Sequence, residues 1–197
     1  MSGPDAMSGP DATRAPLIVL IGPMGVGKST VGELLAERLG TGFRDSDADI
    51  VTAQAMSVSD IFVNEGEPRF RELEREAVRL AVAEHPGVLA LGGGAILDAD
   101  TRELLTGLPV VYLSMEVGEA IKRVGLNTAR PLLAVNPRQQ WKLLMEDRRH
   151  HYTDVARVVV ATDDRTPEEV AEAVLDALEL KHLPDEDPGN PGKENLV

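Results

Sequence analysis

The sequence predicts an α/β fold, a three-layer αβα sandwich on a five-stranded parallel sheet, and two observations carry that expectation. Five short apolar runs alternate with longer segments of helical periodicity, the arrangement that puts helices on both faces of a parallel sheet. Between the first run and the first helix stands Gly22-Pro23-Met24-Gly25-Val26-Gly27-Lys28-Ser29, which has the spacing of a phosphate-binding loop. A chain of 197 residues is long enough for one such core and short for two.

Each element has its own warrant. Pro16–Ile21 is a continuous apolar run ending at glycine, as a strand buried on both faces reads. Val31, Leu34, Leu35 and Leu39 then recur at helical spacing, and Gly40 can end that helix. Gly42–Asp47 reads as a second strand that closes in acids. A long helical stretch follows. Ser57 with Asp60 resembles a capping box with Asp in place of Glu, and Phe70, Leu73, Ala77 and Leu80 trace one apolar stripe over Glu67–Glu84. Val88–Leu91 is a strand running into Gly92-Gly93-Gly94, and Val110–Leu113 and Arg157–Ala161 supply the last two strands. Helices are predicted at Val117–Val124, Arg138–His150 and Pro167–Leu180, the last opened by Thr166 as cap and Pro167 as first residue. Right-handed crossovers are expected between the strands.

The folded unit is expected at residues 16–181. Residues 1–15 carry MSGPDA twice, too short a repeat to build a solenoid, and 182–197 are rich in Pro, Gly, Asp and Glu; both read as disordered tails. No apolar run approaches bilayer length, and the N-terminus lacks the layout of a signal peptide. The chain has no cysteine, which fits a reducing cytoplasm. A net charge of −13 speaks against nucleic acid as the main partner, because phosphate backbones recruit basic surfaces. An anionic nucleotide must then be held by local cations, backbone N–H groups and a metal ion in one cleft.

With a strand before it and a helix after it, the glycine-rich loop reads as a nucleotide site rather than an ordinary turn. Backbone N–H groups over Gly25, Val26 and Gly27 turn toward the phosphates, Lys28 reaches the β- and γ-phosphates, and Ser29 and Thr30 open the helix. The Ser29 hydroxyl suits Mg²⁺, which prefers oxygen ligands. The loop says little about the phosphoryl acceptor.

Residues at the carboxyl ends of the later strands, where open α/β sheets bind ligands, bear on the acceptor. Alternation puts Asp45 and Asp47 on one side of the second strand, where they can hold water on Mg²⁺ and accept a bond from an acceptor hydroxyl. Arg71 flanks the core face of its helix. It can fork onto a ligand carboxylate or pair with Glu67, Glu74 or Glu76. Gly92, Gly93 and Gly94 require either close approach of another group or positive φ. Arg130 lies in a Gly-, Asn- and Pro-containing stretch (residues 125–137) with the composition of a lid, where a cation can steady transferred phosphoryl charge. Arg148 and Arg149 are placed at the end of their predicted helix, and His150 and His151 read as surface or cap residues.

In order and spacing, GPMGVGKST (Gly22–Thr30), FRDSDADI (Phe43–Ile50), DIFVNEGEPRFRELE (Asp60–Glu74), LALGGGA (Leu89–Ala95), NTARPLL (Asn127–Leu133) and LLMEDRRHHYTDVA (Leu143–Ala156) together resemble the shikimate kinases. The resemblance extends from Leu17 to Leu180. It implies a nucleoside-monophosphate-kinase-like sheet in the order 2-3-1-4-5 and transfer of the ATP γ-phosphate to the 3-hydroxyl of shikimate, in aromatic amino-acid synthesis. By motif position it implies that Asp47 binds the shikimate hydroxyls and helps deprotonate the attacking one, and that Asp45 holds Mg²⁺ through water. Arg71 and Arg148 then clamp the carboxylate, with Phe62 and the Gly92–Gly94 backbone lining the pocket. Lys28 and Arg130 stabilise the phosphoryl group, and Arg123 and Arg165 flank adenine. A monomer binding ATP and shikimate, with no nucleic-acid or membrane partner, is the expectation.

Departures from the family pattern are minor: Pro23 follows the first loop glycine, Leu126 precedes Asn127, and His150-His151 has no assigned role. The competing readings are a related small-molecule kinase of the gluconate type and a non-catalytic nucleotide-binding module. A neutral polyol, or a substrate with its carboxylate in a different position, would not need Arg71 and Arg148 in the same places. A module would have no use for Lys28, Ser29, Asp45, Asp47 and Arg130 at once.

Overall fold

A computed structural model of the chain describes residues 15–124 and 137–180. Apart from residue 15, both expected tails lie outside the described residues, as does most of the expected lid, including Arg130.

The central strand β1 (Ile18–Ile21) is buried along its whole length, which accounts for its unbroken apolar sequence. It pairs in parallel with β3 (Val88–Ala90) on one side and β4 (Val110–Ser114) on the other. β2 (Phe43–Asp45) and β5 (Val158–Ala161) close the edges, giving the expected order β2-β3-β1-β4-β5. Helices α1 (Lys28–Arg38) and α8 (Pro167–Ala177) pack against each other beside the sheet. Thr166 and Glu169 cap α8 reciprocally, each side chain accepting the other's backbone N–H. Among the described residues no helix is long and apolar enough to cross a membrane.

The acids at 45–47 turn out to sit differently from the expectation. β2 stops at Asp45, whose Oδ1 accepts from the N–H groups of Asp47 (2.9 Å) and Ala48 (3.4 Å) and so starts helix α2 (Ser46–Gln54). The same carboxylate that ends the strand therefore caps the helix. Ser57 likewise caps α3 (Val58–Asn64), although Asp60 is too short to return the bond to its backbone and takes the Ser57 hydroxyl instead, at 2.6 Å.

Helix α4 (Glu67–Glu84) buries Phe70, Glu74, Val78, Ala81 and Val82, a face rotated from the predicted stripe. Its first half, with Leu73 and Ala77, packs on a small cluster of Ile50, Ile61 and Phe70. Its second half joins the main core through Val78, Ala81 and Val82. One helix serves two cores, so no single stripe describes it. A short helix α5 (Ala99–Leu104), capped by Asp98, follows a 3₁₀ turn and has too few apolar residues to announce itself. After α6 (Val117–Val124), α7 runs over Pro137–Val155, five residues beyond the predicted end. Trp141, Met145, Arg148 and Tyr152 lie along its buried face. Arg148 is therefore an interior helix residue, and the dipole argument for it does not apply.

Candidate active site

The phosphate loop leaves the carboxyl end of β1. Gly22 has φ 145°, and a Cβ there would strike the Leu113 carbonyl oxygen, so only glycine makes this turn. Gly25 (φ 79°) and Gly27 (φ 98°) continue it, and the buried Val26 anchors it to the core. Gly27 caps α1 without a side chain, and the first turn of α1 holds no acid. Its N–H groups and positive dipole end are thus available to an anion. Lys28 Nζ donates to the carbonyls of Gly22 (2.9 Å) and Pro23 (3.1 Å), which keeps the ammonium over the loop. Ser29 and Thr30 are exposed at the mouth.

Asp45 faces this mouth. Its Oδ2 accepts from the Ser29 hydroxyl at 2.8 Å while Oδ1 caps α2. Asp47, in the first turn of α2, points the other way, toward Gly92 and Glu74. Ser46 between them is fully buried and its Oγ accepts from the Gly92 N–H at 3.0 Å. The D-S-D turn is in this way tied to the triglycine.

Close approach, not positive φ, explains the triglycine. A Cβ at Gly92 would collide with Asp47 Oδ1, and one at Gly94 with the Arg71 guanidinium. At Gly93 it would press on the Met24 N–H and the Gly22 carbonyl of the phosphate loop, at 3.3 and 3.4 Å.

A cavity of about 600 Å³ opens between the phosphate loop, α3, α4 and α7. Asp47, Arg71, Glu74 and Arg148 supply its charge, and Met24, Phe62 and Phe70 much of its apolar wall. Phe62 and Phe70 pack with ring centroids 4.6 Å apart, and the Arg71 guanidinium stands 5.4 Å from the Phe70 ring centre. Arg71 meets Glu74 at 2.5 Å and Glu67 at 3.0 Å while it still faces the cavity; Glu76, the third expected partner, pairs with Arg79 instead. Burial pushes the Glu74 carboxyl above its usual range against the opposing pull of Arg71, and the Asp47 charge adds to the rise. Arg148 Nη1 donates to the Gly93 carbonyl at 3.0 Å. Tyr152 Oη donates to the same oxygen at 2.6 Å.

Asp47, Phe62, Arg71, Gly93, Gly94 and Arg148 are thus brought to one cavity, with Gly92 directly behind Asp47. Lys28, Ser29 and Asp45 cluster at the phosphate loop. Arg165 is exposed beyond β5 and lines no part of this cavity; the Arg123 side chain and Arg130 lie outside the described residues. Residue-by-residue reading missed Ser46 and Tyr152, and it weighed Glu74 only as a partner for Arg71. Tyr152 had a usable signal, since it stands one helical turn after Arg148.

Comparison with known proteins agrees with this geometry. The shikimate kinase family model matches residues 24–179. A shikimate kinase of Streptomyces coelicolor is 75% identical over 167 residues, covering 85% of this chain and 98% of that protein. One from Streptomyces avermitilis is 74% identical over 166 residues, covering 84% and 97%. Among solved structures, a shikimate kinase from Acinetobacter baumannii in complex with shikimate superposes with a TM-score of 0.81 at 38% identity, covering 87% of this chain and 97% of that one.

Proposed function

This chain belongs to the shikimate kinase family, and from that premise we propose that it transfers the γ-phosphoryl group of ATP to the 3-hydroxyl of shikimate, in aromatic amino-acid biosynthesis. The observation that carries the reading is the convergence of Asp47, Arg71 and Arg148 on one cavity whose wall includes Met24 of the phosphate loop. A small acceptor that carries both a carboxylate and hydroxyls matches a cavity that offers two guanidiniums and an acid. A neutral polyol offers no carboxylate to either guanidinium, although Glu67 and Glu74 already pair with Arg71.

The residue roles follow from position. N–H groups of the phosphate loop and Lys28 hold the ATP phosphates, with Arg130 assigned to the transferring phosphoryl and Arg123 and Arg165 to adenine by motif position alone. Arg71 and Arg148 take the acceptor carboxylate. Asp47 accepts a hydrogen bond from the attacking hydroxyl, orients it and takes up its proton as the bond to phosphorus forms. The protein need do little covalent chemistry, since positioning and charge stabilisation carry most phosphoryl transfer.

The residues at the mouth fit Mg²⁺. Ser29 Oγ would offer a direct oxygen ligand and Asp45 Oδ2, in hydrogen-bond contact with it, an acceptor for metal-bound water, and no larger His, Asp or Glu cluster occurs among the described residues. That suits an ion which keeps several waters and takes most remaining ligands from phosphates. Bound there, it supplies positive charge that offsets the phosphates. We assign the enzyme to the cytoplasm, where ATP is supplied.

The test is ADP release with MgATP, comparing shikimate, quinate, gluconate and no acceptor. A saturable response to shikimate alone is expected. Turnover with gluconate, or equal hydrolysis without an acceptor, would overturn the acceptor assignment.

A further inference from the structure

We propose that Tyr152 is a positioning residue of the acceptor site, holding the Gly93 carbonyl so that Arg148 is aimed into the cavity. The inference rests on the acceptor assignment above. Tyr152 is fully buried, its ring stacked on Tyr112 of β4 with centroids 4.8 Å apart and planes 13° from parallel. The ring therefore cannot move without disturbing the sheet, and the hydroxyl is a fixed donor. It reaches the Gly93 carbonyl at 2.6 Å, beside the Arg148 Nη1 at 3.0 Å. Two donors on one oxygen use both of its lone pairs and set the direction of the peptide.

That peptide is the centre of the site wall. Gly92 lies against Asp47, Gly94 against Arg71, and Gly93 against the phosphate-loop backbone. Arg148 uses one nitrogen on Gly93 and lines the cavity. A wandering Gly93 carbonyl would let Arg148 wander with it. Burial pushes the Tyr152 phenol well above its usual range, so it remains a donor throughout the working pH range. Arg148 and Tyr152 are one turn apart on α7, so a single helix delivers both donors.

The experiment compares wild type, Tyr152→Phe, Tyr112→Phe, Arg148→Lys and the Tyr152→Phe/Arg148→Lys double variant. All are assayed at a temperature where thermal unfolding shows each to be folded. Tyr152→Phe keeps the stacked ring and loses only the donor. Its KM for shikimate is expected to rise about 3- to 10-fold, the scale of one lost hydrogen bond, with KM for ATP unchanged. Tyr112→Phe is expected to match wild type. The double variant is expected to fall short of the product of the single effects, because both residues act on one carbonyl. An unchanged KM for shikimate in Tyr152→Phe, a parallel rise in KM for ATP, or multiplicative single effects would overturn the proposal. Absence of shikimate-dependent turnover in the wild type would instead overturn the acceptor assignment, and this inference with it.

Discussion

Arg71 Nη1 donates to Glu74 Oε2 at 2.5 Å, and the carboxylate is the more buried partner, with 5% of its side chain exposed against 23% for the arginine. The guanidinium is thereby fixed before any ligand arrives, with Glu67 holding its other edge. A clamp set in advance loses less side-chain freedom on binding. The cost is a carboxylate kept in a poorly solvated place.

That cost is readable as a pH dependence. Burial raises the Glu74 carboxyl above its reference value of 4.5, so the folded chain holds this proton more firmly than the unfolded one. Its contribution to stability is complete below the unfolded value and is lost as pH rises through the higher folded value. Glu74→Gln cannot ionise. The Tm of Glu74→Gln minus that of wild type is expected to grow more positive from about pH 4 to about pH 8. A difference that stays flat would show that Glu74 titrates alike in both states.

Gly94 gives a steric test of the same clamp. An added methyl would occupy the space of the Arg71 guanidinium, the flexible end of a long side chain, so the chain should fold with the arginine displaced. We expect Gly94→Ala to raise KM for shikimate about tenfold or more, as losing a charge-assisted bond does, while KM for ATP stays within about twofold. Equal losses for both substrates would place the damage in the phosphate loop instead.

Much of this arrangement was legible in the sequence, for identifiable reasons. β1 announced itself because burial on both faces leaves only apolar residues, and the phosphate loop because Gly22 and Gly27 hold backbone angles that other residues resist. Helix α2 was hidden because its signal is a carboxylate at the end of a strand, and Asp45 reads equally well as strand terminus or cap. Glu74 was hidden for the opposite reason. It occupies an inward position on α4 that periodicity gives to an apolar residue, and only the three-dimensional meeting with Arg71, Asp47 and Arg148 explains a charge there. Tyr152 passes for core, which it also is, and its hydroxyl finds its partner 59 residues away in sequence.

Asp47 carries the prediction nearest the chemistry. It stands at the cavity against Gly92, two residues after Asp45, which meets Ser29 instead. Asp47→Asn preserves its shape and removes its charge and basicity. A kcat lower by ~10²–10⁴ is expected, the range for a positioned acid–base group. Turnover near the wild-type value would reduce Asp47 to a binding residue, and a KM effect alone would say the same.

Asp45 has two duties that separate under substitution. One oxygen caps α2 and the other meets Ser29, where we place the metal. Asparagine caps helices about as well as aspartate, whereas alanine gives up about 1 kcal/mol of cap energy. Asp45→Asn should therefore keep the wild-type Tm yet need about tenfold more Mg²⁺ for half-maximal activity, the scale of losing a supporting ligand group. Asp45→Ala should show the same Mg²⁺ shift together with a lower Tm. Ser29→Ala, which touches the metal side alone, should shift the Mg²⁺ requirement and leave α2 intact. If Asp45→Asn titrates with Mg²⁺ like wild type, the carboxylate is a helix cap only and the metal is held without it.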